Sequence, residues 1–186
     1  SLTFMILNEA NLLPLYIVIS IISVLLFSFL LIEIIGYFSL KKLNDRIEKR
    51  NYNVNILLAQ KYDILVLLAK VFKKYNMAIP SEFQEELSPK MDESLKRLTL
   101  TERLTVKAYL MKASQTLLYF AESNEKVKND NEYQILKKSL LEIDQNHRKA
   151  LALYNADALG FNYWIKVWAF RPIARLANFS EKEIVS

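Results

Sequence analysis

The sequence contains no cysteine and only one histidine, His147. Disulfides, thiolate metal sites and cysteine nucleophiles are therefore excluded, and a metal site built from several histidines is excluded as well. The chain also has only two glycines and four prolines in 186 residues, which leaves little of the turn chemistry that a sheet protein needs. We therefore expect an all-α protein.

The sequence signatures of several common catalytic and cofactor sites are also missing. The chain has no GxxxxGK(S/T) or GxGxxG loop, no HExxH or GxSxG motif and no EF-hand loop. These absences argue against the usual nucleotide, metalloprotease, hydrolase and calcium sites. We therefore predict a protein that is not an enzyme and that uses no cofactor or metal ion.

Basic residues are absent from the first 40 positions, where a long apolar run extends from Leu12 to Phe38. A hydrocarbon core about 30 Å thick needs about 20 apolar residues in a helix, and this run exceeds that length. We predict a transmembrane helix over residues 12–40, after a short interfacial segment over residues 1–11, with Asn11 as helix cap and Pro14 in the first turn. The run lacks the basic start and small-residue cleavage site of a signal peptide, so it is predicted to remain as an anchor.

Five basic residues follow the run closely: Lys41, Lys42, Arg46, Lys49 and Arg50. Cytoplasmic flanks of membrane spans are enriched in Lys and Arg. The sequence therefore predicts a single-pass protein of the cell membrane, with its N-terminus outside and its C-terminal domain in the cytoplasm. Because the other basic residues are spread along the chain, attraction to anionic lipid headgroups is favoured and no nucleic-acid partner is expected.

Glu33 is the only charged residue within the apolar run, and Gly36 follows it one turn later. Two interpretations of Glu33 are open. The carboxylate reaches the interface or pairs with Lys41 or Lys42, or it makes a buried polar contact in an assembly of anchors. Both Glu33 and Gly36 lie near the inner end of the run, and we expect contacts between copies of the chain at this junction.

The remainder, residues 41–186, has the size of one domain and carries helical patterns. No helix breaker occurs between Gly36 and Asn76, so the anchor is predicted to continue into this domain as one helix. The apolar positions of this helix are Ile47, Val54, Leu58, Leu65, Leu68 and Phe72.

Further helices are predicted downstream. Two prolines and two serines in residues 77–89 predict a reversal of the chain, and a second helical pattern covers residues 91–120, with Thr101 as the candidate cap of a restart within it. The polar segment 123–131 predicts a loop in which Asp130 caps the last helix. We predict an all-α fold: a single transmembrane helix that continues into an antiparallel helical bundle of about three or four long helices.

The last helix has the clearest periodicity in the chain. Apolar and aromatic residues recur at intervals of three and four, which is typical of a packed, coiled-coil-like seam. The series is Tyr133, Leu136, Leu140, Ile143, His147, Ala150, Tyr154, Phe161, Trp164 and Trp168, with Asp157 on the stripe in the one gap. Because no second metal ligand accompanies it, His147 is interpreted as a core or half-buried histidine.

The aromatic C-terminal segment has two interpretations. Its aromatic and basic members are Phe161, Tyr163, Trp164, Lys166, Trp168, Phe170 and Arg171. The segment forms the core and rim of the bundle, or it forms a surface that contacts lipid or a partner. Both tryptophans fall on the predicted seam, which favours the core.

Three carboxylates provide an enzymatic alternative. Asp63, Asp144 and Asp157 could form an acid–base site only if their side chains shared a cleft. Glu142, Asp144 and Asp157 lie close along one helix, which cannot show that two carboxylates converge. We therefore interpret these three as solvated or ion-paired.

Two stretches of the chain carry a family resemblance. The first is residues 60–75, QKYDILVLLAKVFKKY, in which Asp63, Leu68, Lys73 and Tyr75 match the pattern R-R-x-D-L-I-P-N-L-V-x-x-V-K-G-Y. The second has Tyr154 and Asn155, then Phe161 and Asn162 seven residues later, then Ile165, Trp168, Ile173, Ala174 and Phe179. It is similar to Y-N-x-x-V-x-x-Y-N-x-x-I-x-x-F-P-x-x-L-I-A-x-L-x-G-F.

Together these stretches resemble the LemA family of membrane-anchored helical proteins, over most of the chain except its middle helix. The chain departs from the family pattern at Val66 and Leu67, which replace Pro-Asn, and at Leu151, which replaces an Arg. The resemblance implies an N-terminal anchor and an antiparallel helical bundle, without established catalytic residues.

The repeated aromatic-Asn pairs also have a physical interpretation. Residues seven apart return to the same face of a helix, so the rings of Tyr154 and Phe161 can be buried in line while Asn155 and Asn162 lie beside them. Each Asn is expected to bond a neighbouring backbone or helix end. We therefore expect a structural role for these pairs.

The sequence favours a non-enzymatic single-span membrane scaffold or accessory protein that self-associates and organises a membrane region or supports a partner membrane protein. The alternatives are a lipid-interacting module that uses the aromatic C-terminal segment and, less favoured, a carboxylate-based enzyme. The expected partners are the lipid bilayer, further copies of the chain and another membrane protein.

Overall fold

The structure, a computed structural model, describes residues 2–84, 95 and 98–185, and the regular elements within these ranges are all α-helices. In chain order the helices are α1 (Leu2–Lys74), α2 (Ser81–Gln84), α3 (Leu100–Glu122), α4 (Glu125–Lys128), α5 (Asn131–Trp164) and α6 (Arg171–Leu176). The prediction of an all-α fold, with a long apolar N-terminal helix and a packed bundle, is confirmed.

Helix α1 joins the apolar run to the first charged pattern without a break, as predicted. The helix ends in a Schellman motif in which Asn76 has a φ of 55°. The Met77 N–H donates to the Phe72 carbonyl at 2.9 Å, and the Asn76 N–H donates to the Lys73 carbonyl at 3.1 Å. Because asparagine tolerates the left-handed conformation better than most residues, the helix stops here with two terminal carbonyls satisfied.

The start of α1 differs from the prediction. The helix begins at Leu2, so Asn11 is not its N-cap and Pro14 lies inside it. A proline inside a helix lacks the N–H that would bond the carbonyl four residues earlier, and this loss destabilises the helix locally. Helix-forming apolar residues on both sides of Pro14 nevertheless allow the helix to continue through it.

The described part of the chain contains one helix that is long and apolar enough to cross a membrane. The candidate segment of α1 begins at Leu12, and its most apolar window of 18 residues has a mean hydropathy of 2.9. None of that window is buried inside the structure. Length and composition therefore suit this part of α1 to a lipid environment.

The chain divides into two compact units. Unit 1 comprises Ser1–Asp45 and Ala158–Glu183, and unit 2 comprises Arg46–Asp157 and Ile184–Ser186. Unit 1 therefore joins the apolar part of α1 to residues 158–183.

Unit 2 is a helical bundle with a continuous apolar core. The apolar positions predicted for α1 are all buried, namely Ile47, Val54, Leu58, Leu65, Leu68 and Phe72. Leu58, Leu65, Leu68 and Phe72 share one core. Its other members include Leu110, Ala113 and Leu117 of α3 and Tyr133, Leu136 and Leu140 of α5. The hydrophobic effect of burying these side chains stabilises the bundle.

Ion pairs at its two ends show that α1 and α5 run antiparallel in unit 2. Lys74, the last residue of α1, lies 2.8 Å from Asp130, which directly precedes α5. Arg46 lies 2.8 Å from Asp157, near the other end of α5. The C-terminal end of α1 therefore lies beside the N-terminal end of α5. The part of α1 around Arg46 lies beside the part of α5 around Asp157.

Helix α3 starts beside the early part of α1 in unit 2. Its Arg103 donates to the side chains of Asn51 and Asn55, and at its other end Glu122 accepts a hydrogen bond from the Tyr133 hydroxyl at 2.7 Å. Helix α3 therefore runs parallel to α1 and antiparallel to α5. The reversal predicted in residues 77–89 lies partly outside the described residues.

The N-terminus of α3 lies earlier than the predicted restart at Thr101. Thr99 is the N-cap, with a capping box in which the Glu102 N–H donates to Thr99 and the Thr99 N–H donates to Glu102. The prediction of Thr101 as the cap is wrong, because Thr99 has the Glu three residues later that completes the box. The predicted helix over residues 91–94 lies outside the described residues.

The segment 123–131 contains a short helix where the sequence predicts a loop. Helix α4 is capped by Asn124, whose side chain accepts from the Lys126 and Val127 N–H groups. The predicted role of Asp130 is confirmed, because its Oδ1 accepts a hydrogen bond from the Tyr133 N–H at 3.0 Å at the start of α5.

The predicted seam of α5 is buried at most positions as far as Phe161. Buried members are Tyr133, Leu136, Leu140, His147, Tyr154 and Phe161. Beyond Tyr154 the buried stripe passes through Ala158 and Ile165 instead of Asp157 and Trp164. Asp157 instead pairs with Arg46 and Arg50 at distances of 2.8 and 3.3 Å.

The expectation that both tryptophans belong to the core is wrong. Trp164 is 45% exposed and Trp168 is 78% exposed. Helix α5 ends at Trp164, so Trp168 lies in the following turns and no longer follows the helical stripe.

Candidate functional site

Glu33 contacts the C-terminal segment of the same chain. Its side chain is 8% exposed, and Oε2 accepts a hydrogen bond from the Ile173 N–H at 3.1 Å. Ile173 lies in the first turn of α6, where the N-cap Phe170 offers no side-chain acceptor and Pro172 has no N–H. First-turn N–H groups need an acceptor, and Glu33 provides it from another helix.

Neither sequence-based interpretation of Glu33 included this contact. The carboxylate does make a buried polar contact, but the contact lies within one chain and joins α1 to α6. The second oxygen, Oε1, is buried and has no hydrogen-bond partner among the described residues. The sequence could not show this, because the acceptor and donor lie 140 residues apart.

Gly36 allows the ring of Phe170 to lie directly on α1. A Cβ atom at Gly36 would lie 2.8 Å from Phe170 Cε1 and would also overlap Cδ1, which real Cβ atoms do not tolerate. Gly36 and Glu33 therefore both face the C-terminal segment of their own chain. The expected contact between copies of the chain at this junction stays a prediction.

Aromatic contacts hold residues 161–179, which we call the aromatic segment, against α1 within unit 1. The Phe179 ring stacks on Tyr37 with centroids 6.3 Å apart and meets Phe161 edge to face at 5.6 Å. Trp164 meets Phe170 edge to face at 5.7 Å. An apolar groove of about 260 Å³ lies beside this contact, lined by Gly36, Ser39, Leu40, Leu43, Trp164 and Phe170.

The outer face of the aromatic segment combines apolar and basic side chains. Trp168 and Leu176 are 78% and 80% exposed, and Lys166, Arg171 and Arg175 are exposed as well. Exposed tryptophans beside Arg and Lys are typical of segments that lie at a membrane–water interface. The outer face of the aromatic segment therefore combines exposed apolar side chains with exposed basic ones.

The position of Glu33 along α1 agrees with such a location. At a rise of about 1.5 Å per residue, the helix advances about 32 Å from Leu12 to Glu33. This length matches a hydrocarbon core about 30 Å thick. If the run begins to cross the bilayer at Leu12, the contact between Glu33 and Ile173 lies at the level of the opposite headgroups.

The two Asn residues of the repeated aromatic-Asn pairs bind the backbone of the C-terminal tail. Asn162 Nδ2 donates to the Lys182 carbonyl at 2.7 Å, and the Lys182 N–H donates to Asn162 Oδ1 at 2.6 Å. Asn155 makes the same two bonds with Val185, at 2.6 and 3.0 Å. The prediction that these Asn side chains bond a neighbouring backbone is confirmed.

Spacing explains why the two Asn residues bind tail residues only three apart. Seven residues of α-helix advance about 10.5 Å, and three residues of extended chain cover about 10 Å. The rings that precede the Asn residues, Tyr154 and Phe161, are both buried as predicted. The pairs therefore have a structural role in holding the tail.

The three carboxylates of the enzymatic alternative do not converge. Asp144 and Asp157 lie thirteen residues apart on α5, which is about 20 Å along the helix. Asp144 pairs with Lys61 at 2.7 Å, whereas Asp157 pairs with Arg46 and Arg50. Asp63 is exposed. Among the described residues no group of three or more acidic or histidine side chains is placed to hold a metal ion.

Tyr75, a residue of the first resembling stretch, lies at the end of unit 2 where α1 meets α5. Its hydroxyl donates to Asp130 Oδ2 at 2.6 Å, and Lys74 Nζ donates to the same oxygen at 2.8 Å. The Lys74 ammonium, the Tyr75 hydroxyl and the Tyr133 N–H together hold the pKa of Asp130 well below its usual range. Tyr75 therefore has a structural contact at this helix junction.

A buried polar group inside unit 2 was missed at the sequence level. Arg103 is only 2% exposed, and it donates to Asn51 and Asn55. Its Nη1 has no hydrogen-bond partner among the described residues, and burial lowers the pKa of the guanidinium. A single Arg in an amphipathic pattern is usually interpreted as a surface residue. Only the polar side chains of Asn51 and Asn55 on α1 could have indicated that Arg103 is buried.

His147 is buried close to this Arg, as its position on the seam predicted. The side chain is 9% exposed and its Nε2 has no hydrogen-bond partner within the described ranges. Burial, together with the nearby charges of Lys107 and Lys61, lowers the pKa of His147 to about 4. The imidazole is therefore neutral at physiological pH.

Comparisons with known proteins leave the family open. The chain matches no protein-family model, and its similarity to curated proteins and to solved structures is not significant. The resemblance to the LemA family therefore stays a prediction that depends on the two sequence stretches.

Proposed function

We propose that this chain is a single-span membrane protein whose helical bundle acts in the cytoplasm as a non-enzymatic scaffold or accessory subunit. The observation that carries the proposal is helix α1. Its apolar run beginning at Leu12 is not buried by the chain itself, and the same helix continues to Lys74, where it forms part of the bundle core. A helix of this kind ties a folded bundle directly to the bilayer.

The cytoplasmic location is supported by charge. Five basic residues follow the run, and cytoplasmic flanks of membrane spans are enriched in Lys and Arg: Lys41, Lys42, Arg46, Lys49 and Arg50. The resemblance to membrane-anchored LemA proteins supports the same arrangement. In this proposal the bundle organises a membrane region or supports another membrane protein, and copies of the chain associate with each other.

A native-membrane extraction tests the scaffold function. Membranes from cells that produce the full chain are dissolved into polymer-bounded discs without detergent, and the mass of single discs is then measured. We expect discs of constant composition that hold two or more copies, or one copy with one other membrane protein in fixed ratio. Discs that hold one copy and lipid alone would contradict the scaffold and favour the second candidate function.

The second candidate is a lipid-interacting module, and the exposure of the aromatic segment favours it. Trp168 and Leu176 are largely exposed, and exposed basic residues lie between them in the sequence. Burying two such apolar side chains in the interface would contribute roughly 1.5–3 kcal/mol each. The contact of α6 with Glu33 would hold the segment at headgroup level.

The two tryptophans make this candidate directly measurable, because the chain has no others. A Trp164→Phe variant reports Trp168 alone, in bilayers that contain lipids brominated near the headgroup or near the acyl end. We expect strong quenching by bromine near the headgroup and weak quenching by aqueous iodide. Efficient iodide quenching with no effect of brominated lipid would reject lipid contact by this segment.

A further inference from the structure

Helix α6 has two distinct faces. Its inner face packs on α1 within unit 1, where the Ile173 N–H donates to Glu33 and Ala174 is buried. Arg171 and Arg175, which we call the arginine pair, are both exposed. Because residues four apart return to the same face of a helix, the two side chains start from Cβ atoms about 5–6 Å apart. The helix therefore presents two guanidinium groups together, on the side away from α1.

The charge of the arginine pair is not compensated within the described part of the chain. Residues 158–180 contain three basic residues and no Asp or Glu. The third basic residue, Lys166, pairs with Glu181 at 2.7 Å. Neither side chain of the arginine pair makes an ion pair or a hydrogen bond with the described residues. The arginine pair therefore favours an anion from outside the chain.

Apolar side chains border the arginine pair on both sides in the sequence. Trp168 precedes it and Leu176 follows it, and both are largely exposed. A small soluble anion would leave these two side chains in water. A phospholipid provides a phosphate for the guanidinium groups and an acyl region for the apolar side chains in one molecule.

We propose that Arg171 and Arg175 bind the phosphate of an anionic phospholipid in the leaflet on the bundle side of the membrane. This inference rests on the second candidate function, lipid contact by the aromatic segment, and names the class of lipid. With the apolar run crossing the bilayer from Leu12, the contact of α6 with Glu33 lies at headgroup level. The planar guanidinium forks match phosphate oxygens in a bidentate geometry.

The net charge of the headgroup decides which phospholipid is preferred. Phosphatidylcholine carries a choline cation beside its phosphate, so it leaves the charge of the arginine pair uncompensated. Phosphatidylglycerol carries the same phosphate without a cation. Basic residues near a membrane surface are attracted to anionic lipids for this reason.

Fluorescence of Trp168 measures which lipid lies beside the arginine pair. The full chain with Trp164→Phe, in which Trp168 is the only tryptophan, is placed in phosphatidylcholine nanodiscs that contain a small fraction of one brominated lipid. This lipid is phosphatidylglycerol in one series and phosphatidylcholine in the other, with bromine near the headgroup end of the acyl chains. From the quenching at equal fractions, we expect a relative affinity of at least about tenfold in favour of phosphatidylglycerol.

Substitutions in the same single-tryptophan chain locate the site. Arg171→Gln and Arg175→Gln should each weaken the preference for phosphatidylglycerol about fivefold. Lys42→Gln removes one charge at another exposed position of unit 1 and is the matched control, so it should leave the preference unchanged. Replacing both arginines by Lys keeps the charge and removes the planar forks, so this double variant should prefer phosphatidylglycerol less than the parent chain does.

Inorganic phosphate distinguishes a lipid site from a site for free phosphate. When phosphate replaces chloride at constant ionic strength, we expect the preference for phosphatidylglycerol to stay unchanged, because free phosphate offers nothing to Trp168 and Leu176. Displacement of phosphatidylglycerol by phosphate under these conditions would overturn the proposal.

The quenching results separate failure of this inference from failure of the candidate function. Equal quenching by the two brominated lipids would leave lipid contact in place and would contradict the preference for an anionic lipid. Absence of quenching by either lipid would contradict lipid contact itself. An equal loss of preference in Lys42→Gln and in the two Gln variants of the arginine pair, or no loss in the double Lys variant, would mean that charge acts without a defined phosphate site.

Discussion

The carboxylate of Glu33 and the backbone N–H of Ile173 are joined by a hydrogen bond of 3.1 Å, although 140 residues separate them in the chain. Glu33 completes the first turn of α6, which has no capping side chain of its own. One charged residue in an apolar run thereby fixes where the aromatic segment meets α1. The contact gives Glu33 an intrachain structural role.

Replacing Glu33 tests that role. A Glu33→Ala variant leaves the Ile173 N–H buried without an acceptor, which should destabilise the docked aromatic segment by roughly 1–3 kcal/mol. Glu33→Gln keeps an acceptor oxygen and is the matched control. In nanodiscs, trypsin should cleave the Ala variant faster after Arg175 than the Gln variant. Equal cleavage of the Ala variant and the parent chain would contradict the contact.

The two glycines are predicted to respond to alanine with opposite signs. At Gly36 the added Cβ meets the Phe170 ring, so Gly36→Ala should destabilise unit 1 by roughly 1–3 kcal/mol. At Gly160 nothing in the described structure lies within 4 Å of the added atom. Gly160→Ala should therefore stabilise α5 by about 0.5–1 kcal/mol.

Denaturant midpoints followed by tryptophan fluorescence measure both glycine effects. Adding Phe170→Ala to Gly36→Ala removes the overlap, so the double variant should be less destabilised than the two single variants would sum to. If Gly36→Ala and Gly160→Ala destabilised the protein by similar amounts, the effect would not come from contact with Phe170. This result would contradict close packing at Gly36.

The Asn side chains of α5 are predicted to hold the tail additively. Asn155→Ala and Asn162→Ala each remove two hydrogen bonds to tail backbone, which should cost about 1–3 kcal/mol in each case. Hydrogen exchange at the Val185 and Lys182 N–H groups measures the release. Asn146→Ala, at an exposed position of the same helix, is the control and should leave both exchange rates unchanged.

His147 makes stability depend on pH in a defined window. The folded pKa of about 4 lies below the ordinary value of 6.5, because burial and the charges of Lys107, Lys61 and Arg103 outweigh the attraction of Asp144. The unfolded state therefore binds a proton first as pH falls. The contribution of neutral His147 to the free energy of unfolding is fully present above about pH 6.5. It is lost as the pH falls toward 4, by up to about 1.4 kcal/mol per pH unit.

Chemical unfolding at a series of pH values checks this prediction. Between about pH 6.5 and 4, the free energy of unfolding should fall with pH less steeply in a His147→Gln variant than in the parent chain. Any loss of stability caused by protonation of carboxylates should persist in the variant. Asp130, whose pKa is held low by Lys74 and Tyr75, contributes its own loss mainly below the window of His147. An unchanged slope in the His147→Gln variant would mean that another group is responsible.

Local patterns in the sequence predicted the helices well where the periodicity was continuous. Buried positions such as Val54, Leu65 and Phe72 followed from spacing alone, and the capping role of Asp130 followed from residue type and place. The sequence predicted that Asn155 and Asn162 bond to backbone groups, because an amide beside a buried ring needs hydrogen-bond partners. The partners themselves, Val185 and Lys182, depend on how the tail folds back.

Long-range contacts were not accessible from spacing. The seam was continued to Trp168 on the assumption that α5 extends that far, yet the helix ends at Trp164 and the phase is lost. The intrachain contacts of Glu33 and Gly36 could not be predicted, because no pattern in residues 161–179 indicates that this segment returns to α1. Burial of Arg103 depends on two Asn residues about fifty positions earlier, and no local pattern reports such a pairing.

Single-cysteine labelling tests most directly the claim that the apolar part of α1 spans the membrane with the bundle in the cytoplasm. The chain has no cysteine of its own, so Val24→Cys and Tyr119→Cys each create one thiol. With an impermeant maleimide, Val24→Cys should stay unlabelled, and Tyr119→Cys, at an exposed position of α3, should be labelled only after the cells are opened. Labelling of Tyr119→Cys in intact cells, or labelling of Val24→Cys as fast as Tyr119→Cys in opened cells, would contradict this account.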